Sequence, residues 1–405
     1  MRIDEALSLV RLQRPELDRL KRFRSRCRTI PDVEAAARRA LPRPVFDYVA
    51  GGADDELTLH ENTQAYASWR FQPRALRDVS TVDLSTRILG RITAAPFGLA
   101  PTGYTKMISP AGEPAVARAA ASAGVPYVLS TMASTSLEDL AAVPPAGRAE
   151  CWFQLYVWKD RDLTAELITR AAAAGFRVLE VAVDTHVSGF RARDVRNGLT
   201  IPPQLTPAAL AGIASRPRYW MQMLASPMIE FANVASSDAG YTIENISQQF
   251  DPSLDWDTLD WIRSSWDGPL LLKGPIGPED ALRAQQLGVD GVHLSNHGGR
   301  QLDRSIVPLD LIAPVRAATG EDFTVLVDSG IRHGADIAVA LAHGADSAFI
   351  GRPYLYGLAA AGEPGVAHVI DILRTQLTRT LQLLGVTSVD ELRAHGPALL
   401  KRLSS

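Results

Sequence analysis

The sequence predicts an α/β fold, a TIM-type (β/α)8 barrel with an N-terminal helical extension and a long insertion after its fourth strand. Three observations lead there. Short apolar runs recur eight times along the chain, segments of helical length separate them, and every run ends in polar residues or glycine. Strand alternating with helix implies a parallel sheet. Eight such units with no extra strand run in the middle imply closure. The alternative, an open doubly wound sheet, is disfavoured because no G-x-G-x-x-G stands at a strand-to-helix turn.

The first run, 97–100, leads into Pro101, Thr102 and Gly103; the second, 127–129, into Ser130 and Thr131. The third, 152–157, carries Gln154 and Tyr156, and the fourth, 178–183, ends at Asp184. The fifth, 270–272, ends at Lys273, and the sixth, 291–294, at Ser295 and His297. The seventh, 323–327, ends at Asp328 and Gly330, and the eighth, 348–350, at Gly351 and Arg352. Helical partners read at 113–123, 163–174, 278–287, 309–318 and 335–342. One polar residue at a strand end is ordinarily a cap or turn residue. Eight in register converge on the face where such barrels hold their active sites.

Additions surround this barrel. Residues 1–40 form a basic arm, rich in arginine from Arg11 to Arg28, and 41–393 the barrel domain, with 394–405 as a C-terminal tail. Residues 1–96 look mainly helical and are expected to cap one barrel end. The insertion, about 197–264, is far longer than ordinary βα loops. Its part 206–224 mixes alanine, aromatic and basic residues. It suits a lid or packing segment, an oligomer contact, or a surface lying on a membrane, with lid or packing favoured.

The 405-residue length fits one large barrel with additions, and 46% hydrophobic residues can fill its core. A net charge of −3 argues against a nucleic-acid partner. Two cysteines, Cys27 and Cys151, provide neither a disulfide framework nor metal-ligand spacing, which fits a reducing cytoplasm and predicts no metal. Asp4 and Glu5 interrupt any signal-peptide pattern, and no stretch of about 18 apolar residues predicts a membrane span.

The segment Ser295-Asn296-His297-Gly298-Gly299-Arg300 is the most informative part of the chain. It puts a base able to take a proton near neutral pH beside a fixed cation that grips carboxylates. The pair suits chemistry on a small acid whose reacting carbon adjoins its carboxylate. Gly330 with Arg332, and Gly351 with Arg352, follow the last two strands, where this architecture often holds phosphate. Lys273 is open to two readings, a Schiff-base nucleophile or a cation neutralising a reduced flavin ring.

From residue 41 to about 393 the chain resembles the FMN-dependent α-hydroxy-acid oxidoreductases. The matching blocks include FDYVAGGADDE (46–56), APTG (100–103), FQLY (153–156), LKG (272–274) and SNHGGRQLD (295–303). The resemblance implies FMN as cofactor and conversion of an L-2-hydroxy acid, L-lactate first among them, to a 2-oxo acid. It implies His297 as base, paired with Asp184; Tyr156 on the substrate hydroxyl; and Arg300, Tyr48 and Arg191 on the carboxylate. It also implies a flavin lined by Pro101, Thr102, Gly103, Ser130, Gln154 and Ser295. Lys273 would lie at the ring, Asp328 at the ribityl chain, and Gly330, Arg332, Gly351 and Arg352 at the phosphate.

The arm and the Asp251–Leu254 stretch look most like bacterial respiratory L-lactate dehydrogenases, which implies a quinone or cytochrome as electron acceptor. It also implies a homotetramer and a cytoplasmic chain with contact at the inner face of the membrane. Gly103, where many oxidases of the family carry alanine, leans the same way; oxygen as acceptor, and mandelate-like or longer acids, are the alternatives. Three departures concern redox tuning and substrate fit: Ala182 for a usual threonine, His186 for proline and Phe190 for arginine. His186 is expected to point outward.

Overall fold

The computed structural model describes residues 16–143, 150–198, 212, 215–227, 229–234 and 249–403. Eight parallel strands close into a barrel: Phe97–Leu99, Tyr127–Ser130, Cys151–Leu155, Leu179–Ala182, Leu270–Gly274, Gly291–Leu294, Thr324–Val327 and Ser347–Ile350. Closure is direct, the eighth strand pairing with the first at Ala348↔Phe97 and Ile350↔Leu99. All eight expected strands are present, within a few residues of their predicted bounds. The barrel bottom is a packed apolar core of Val128, Trp152, Leu271, Leu326 and Phe349, so the interior is no channel.

Local chemistry sets the helix ends. Asp160 caps Arg161–Ala173 through the N–H groups of Asp162 and Leu163, and Asp255 caps Trp256–Ser264 through Thr258. Gly124 ends Gly112–Ala123 in the left-handed conformation at φ 66°. The helix Ile30–Ala40 starts at a capping box between Thr29 and Asp32 and buries Ile30, Val33 and Ala37. It packs on Arg352–Ala361, so the basic arm merges into the core before residue 40. In the described part of the arm, Arg19, Lys21, Arg22, Arg24, Arg26 and Arg28 are exposed; Arg11 and Arg14 lie outside the described residues.

Two other boundaries differ from the sequence reading. Residues 394–402 complete the helix Val389–Leu399 and the strand Leu400–Arg402, which pairs antiparallel with Trp69–Phe71. That stretch is docked rather than a free tail. The insertion returns to the barrel by Phe250, which pairs with Trp158, and Trp256–Ser264 is an ordinary barrel helix. Much of 206–224 lies outside the described residues, but Pro217–Leu224 is a helix fixed by Tyr219, whose hydroxyl donates to the Met107 carbonyl at 2.7 Å. Among the described residues no helix is long and apolar enough to cross a membrane.

Candidate active site

A cavity of about 760 Å³ opens at the C-terminal end of the barrel strands. The helix Arg43–Ala50 covers part of it and contributes Tyr48 and Val49.

The segment after the sixth strand carries His297 into the cavity. His297, Gly298 and Gly299 all have left-handed backbone, at φ 58°, 66° and 74°. Such a conformation costs a residue with a side chain about 1–3 kcal/mol, and it persists only where the surroundings fix it. Here they do. The His297 N–H donates to Ser295 Oγ at 3.1 Å, the Gly298 N–H to Ser329 Oγ at 3.1 Å, and the Gly299 N–H to Asn296 Oδ1 at 3.1 Å. Asn296 in turn exchanges two amide hydrogen bonds with the buried Asn62, at 2.8 and 2.9 Å. A Cβ on Gly299 would sit 2.6 Å from the Leu59 nitrogen, so this position must be glycine for the loop to dock on the N-terminal helix Leu57–Ala67.

The result is a line of three side chains. Asp184 Oδ2 lies 2.9 Å from His297 Nδ1, and Tyr156 Oη lies 2.9 Å from His297 Nε2. A carboxylate at Nδ1 fixes the proton there, which leaves the Nε2 lone pair to accept from the tyrosine hydroxyl. Burial, then the charge of Asp184, pushes the Tyr156 hydroxyl far above its ordinary range, so it stays a donor.

Facing this line is a cluster of positive charge. Arg300 Nη1 donates to the carbonyls of Tyr48 at 2.6 Å and Gly51 at 3.0 Å, with its guanidinium over the Tyr48 ring. Arg191 is held through Nε by Asp194 at 2.9 Å. Burial, then Arg191, lowers the Arg300 pKa; burial, then Arg300, lowers that of Arg352. An anion entering the cavity relieves both.

Tyr48, Tyr156, Arg191, His297 and Arg300 therefore line one cavity, as do Pro101, Thr102, Gly103, Ser130, Lys273 and Asp328. Gly330, Arg332, Gly351 and Arg352 line its far end. A Cβ on Gly330, at φ 86°, would run into the Asn62 carbonyl. The Arg352 side chain differs from expectation: its Nε, Nη1 and Nη2 donate to the carbonyls of Val49, Gly298 and Gly51 at 2.9, 2.9 and 2.7 Å. It braces the covering helix against the His297 loop, which leaves only its charge and its backbone N–H free to act toward the cavity. Gln154 and Ser295 lie below the lining surface. His186 is exposed, Phe190 stands at the rim, and Ala182 is buried beside Lys273. Sequence reasoning missed the buried Asn62, Asn296 and Ser329 supports. The only sequence signal for two of them was their place beside the glycine turns.

The chemistry of this lining suits a flavin nucleotide. Lys273 ends its strand at the cavity and pairs with Asp328. The Gln154 side-chain nitrogen is buried with no partner among the described residues, a donor waiting for an acceptor overhead. Its oxygen accepts from Ser130 at 3.0 Å. A Cβ on Gly351 would meet only Thr102 Cγ2, at 3.9 Å, so the start of Arg352–Ala361 is uncrowded, as a phosphate at a helix N-terminus requires.

Fold and lining together define a flavin oxidoreductase built on a barrel. The chain belongs to the FMN-dependent dehydrogenase family, whose model matches residues 37–398. It is 46% identical over 402 residues, covering 99% of this chain and 96% of the relative, to a Mycobacterium tuberculosis protein provisionally named L-lactate dehydrogenase. It is 39% identical to the (S)-mandelate dehydrogenase of Pseudomonas putida, over 90% of this chain and 92% of the relative. Among solved structures, that of a monotopic membrane protein, (S)-mandelate dehydrogenase, superposes with a TM-score of 0.88 at 38% identity, covering 93% of this chain and 99% of the other.

Proposed function

We propose that the chain oxidises L-lactate to pyruvate with FMN, passing the electrons to a quinone or cytochrome. The observation that carries this reading is the Tyr156–His297–Asp184 line facing Arg300 and Arg191 across one cavity. Arg300 and Arg191, with Tyr48 beside them, hold the substrate carboxylate and orient the reacting carbon. The substrate hydroxyl breaks the Tyr156–His297 hydrogen bond and takes both groups as its own partners. His297 takes a proton at Nε2 and becomes an imidazolium, which Asp184 steadies through Nδ1. FMN, when bound, supplies the acceptor for the two electrons and for the second of the two protons that the acid loses. Lys273 would lie at the ring edge, Asp328 at the ribityl chain, and Gly330, Arg332, Gly351 and the Arg352 backbone at the phosphate.

One observation favours a second reading. Tyr104, Phe231, Phe250, Phe190 and Met132 line the side of the cavity away from the phosphate loops. That apolar wall has room for a longer or aryl-bearing 2-hydroxy acid. Anaerobic titration of the holoenzyme decides: L-lactate bleaches the oxidised flavin band on the first reading. Bleaching by (S)-mandelate but not by L-lactate supports the second. Peroxide released in step with substrate in air would refute the quinone or cytochrome assignment.

A membrane surface is the proposed meeting place with the acceptor. Met221 and Leu224 are 64% and 84% exposed on the helix Pro217–Leu224, next to Arg216 and Arg218. An apolar ridge flanked by cations fits an anionic bilayer. Flotation with anionic vesicles, lost in Met221→Ser/Leu224→Ser, is the expected result.

A further inference from the structure

From the cavity lining down into the barrel, four ionisable groups stand in a row. Lys273 Nζ pairs with Asp328 Oδ2, and that oxygen lies 3.4 Å from His293 Nε2. His293 Nδ1 lies 2.6 Å from Glu180 Oε1. Glu180 and His293 are both 0% exposed. The proposed mechanism uses neither. Period-two alternation aims Glu180, like Ala182, and His293, like Ser295, into the barrel. There His293 meets the Phe349 ring at 4.9 Å. A buried charge pair costs several kcal/mol per ion in lost hydration, and apolar residues of similar volume commonly do as well or better. Its effect is therefore to be sought in charge.

His293 Nδ1 is hydrogen-bonded to Glu180, whereas Nε2 lies close to Asp328 Oδ2 without a hydrogen bond among the described residues. With both nitrogens protonated, the row reads minus, plus, minus, plus from Glu180 to Lys273, and sums to zero. With His293 neutral, Asp328 confronts Lys273 without a second cation behind it. Burial by itself would raise the Asp328 carboxyl, but Lys273 and His293 outweigh it and hold it far below the usual range.

We infer that Glu180 and His293 form a buried charge relay. Glu180 keeps His293 an imidazolium, His293 offsets the charge of Asp328, and more of the Lys273 field is left to favour the reduced cofactor. Both are positioning residues, acting through Asp328 and Lys273. The inference rests on the placement of Lys273 at the flavin ring given under Proposed function.

Two measurements test it. Nitrogen NMR of [15N]histidine-labelled holoenzyme, with His293 assigned as the resonance displaced in Glu180→Gln, should show both ring nitrogens protonated at pH 7. A neutral ring would overturn the relay. The second is the midpoint potential by spectroelectrochemistry. His293→Gln keeps a donor toward Glu180 and removes the charge. Reduced FMN should then bind about tenfold more weakly relative to oxidised FMN, a fall of about 30 mV for a two-electron couple. Glu180→Gln should move the potential the same way by less. A pair with a structural role alone would lower the melting temperature in both variants and leave the potential fixed, which would overturn the relay. Should His293→Gln not retain FMN, the NMR result on the unaltered chain decides. Lys273→Met separates the two readings: if it too leaves the potential unmoved, the placement of Lys273 fails. If it moves the potential and His293→Gln does not, the relay fails.

Discussion

Two histidines four residues apart meet carboxylates in the same way and end in different surroundings. His297 Nδ1 meets Asp184, and His293 Nδ1 meets Glu180, each partner 113 residues earlier in the chain. The repeat follows from the parallel fold, because both contacts cross from the fourth barrel region to the sixth. His297 keeps 24% of its side chain exposed in the cavity, while His293 has none. The same pair of residue types thus makes a base where substrate can reach it and a fixed charge where nothing can. Access, rather than the pairing itself, divides the roles.

The largest effect expected is at the open pair. His297→Ala should lower the rate of flavin reduction by about 10²–10⁴ while FMN stays bound, as read by anaerobic stopped flow. A smaller loss would place the base elsewhere. At the closed pair, Glu180→Ala should cost about 3–5 kcal/mol in urea unfolding, because it leaves His293 buried without its closest carboxylate. The double replacement Glu180→Leu/His293→Val should recover most of that stability. No recovery would mean that packing of these two side chains, rather than their charge, sets the cost.

Arg300→Met comes next, lowering kcat/KM roughly 10²-fold, about 3 kcal/mol, through loss of a charged grip on the carboxylate. Arg352→Met should instead weaken FMN retention and the docking of Arg43–Ala50, since its donors serve Val49, Gly51 and Gly298. The smallest effect is at the third histidine of the region. His186 is exposed, so His186→Ala should change stability by less than about 0.5 kcal/mol and leave the flavin potential where it was. A shifted potential would give His186 a part in redox tuning after all.

The eight strands were readable because each apolar run is short and ends in chemistry, and a parallel barrel gathers those ends on one face. Asp184 and His297 stood out as strand-end residues for the same reason, and Arg300 by its place on the His297 turn, while the Asp184–His297 pairing and Arg191 came from the family resemblance. Depth was harder. Ser295 and Gln154 read as cavity lining, yet one holds the His297 backbone and the other lies beneath the surface. Period two tells which strand residues face inward, but not how far below the mouth they sit. Glu180 and His293 were legible only as a polar residue within each apolar strand; their equal spacing to Asp184 and His297 was the available signal. The docking of 394–402 was not legible because its short run Ala398-Leu399-Leu400 looks like any other, and its strand is recognisable only beside Trp69–Phe71.

The seam of the barrel has a consequence for biosynthesis. Strand Phe97–Leu99 must wait for Ser347–Ile350, its partner across the seam, and the Gly330 and Gly351 loops of the cavity follow the last two strands. On the ribosome, most of the chain emerges before that seam can seal, a non-local pairing of the kind that forms slowly. The cavity is therefore complete only in a finished chain, and until then Phe97–Leu99 is an unpaired sheet edge.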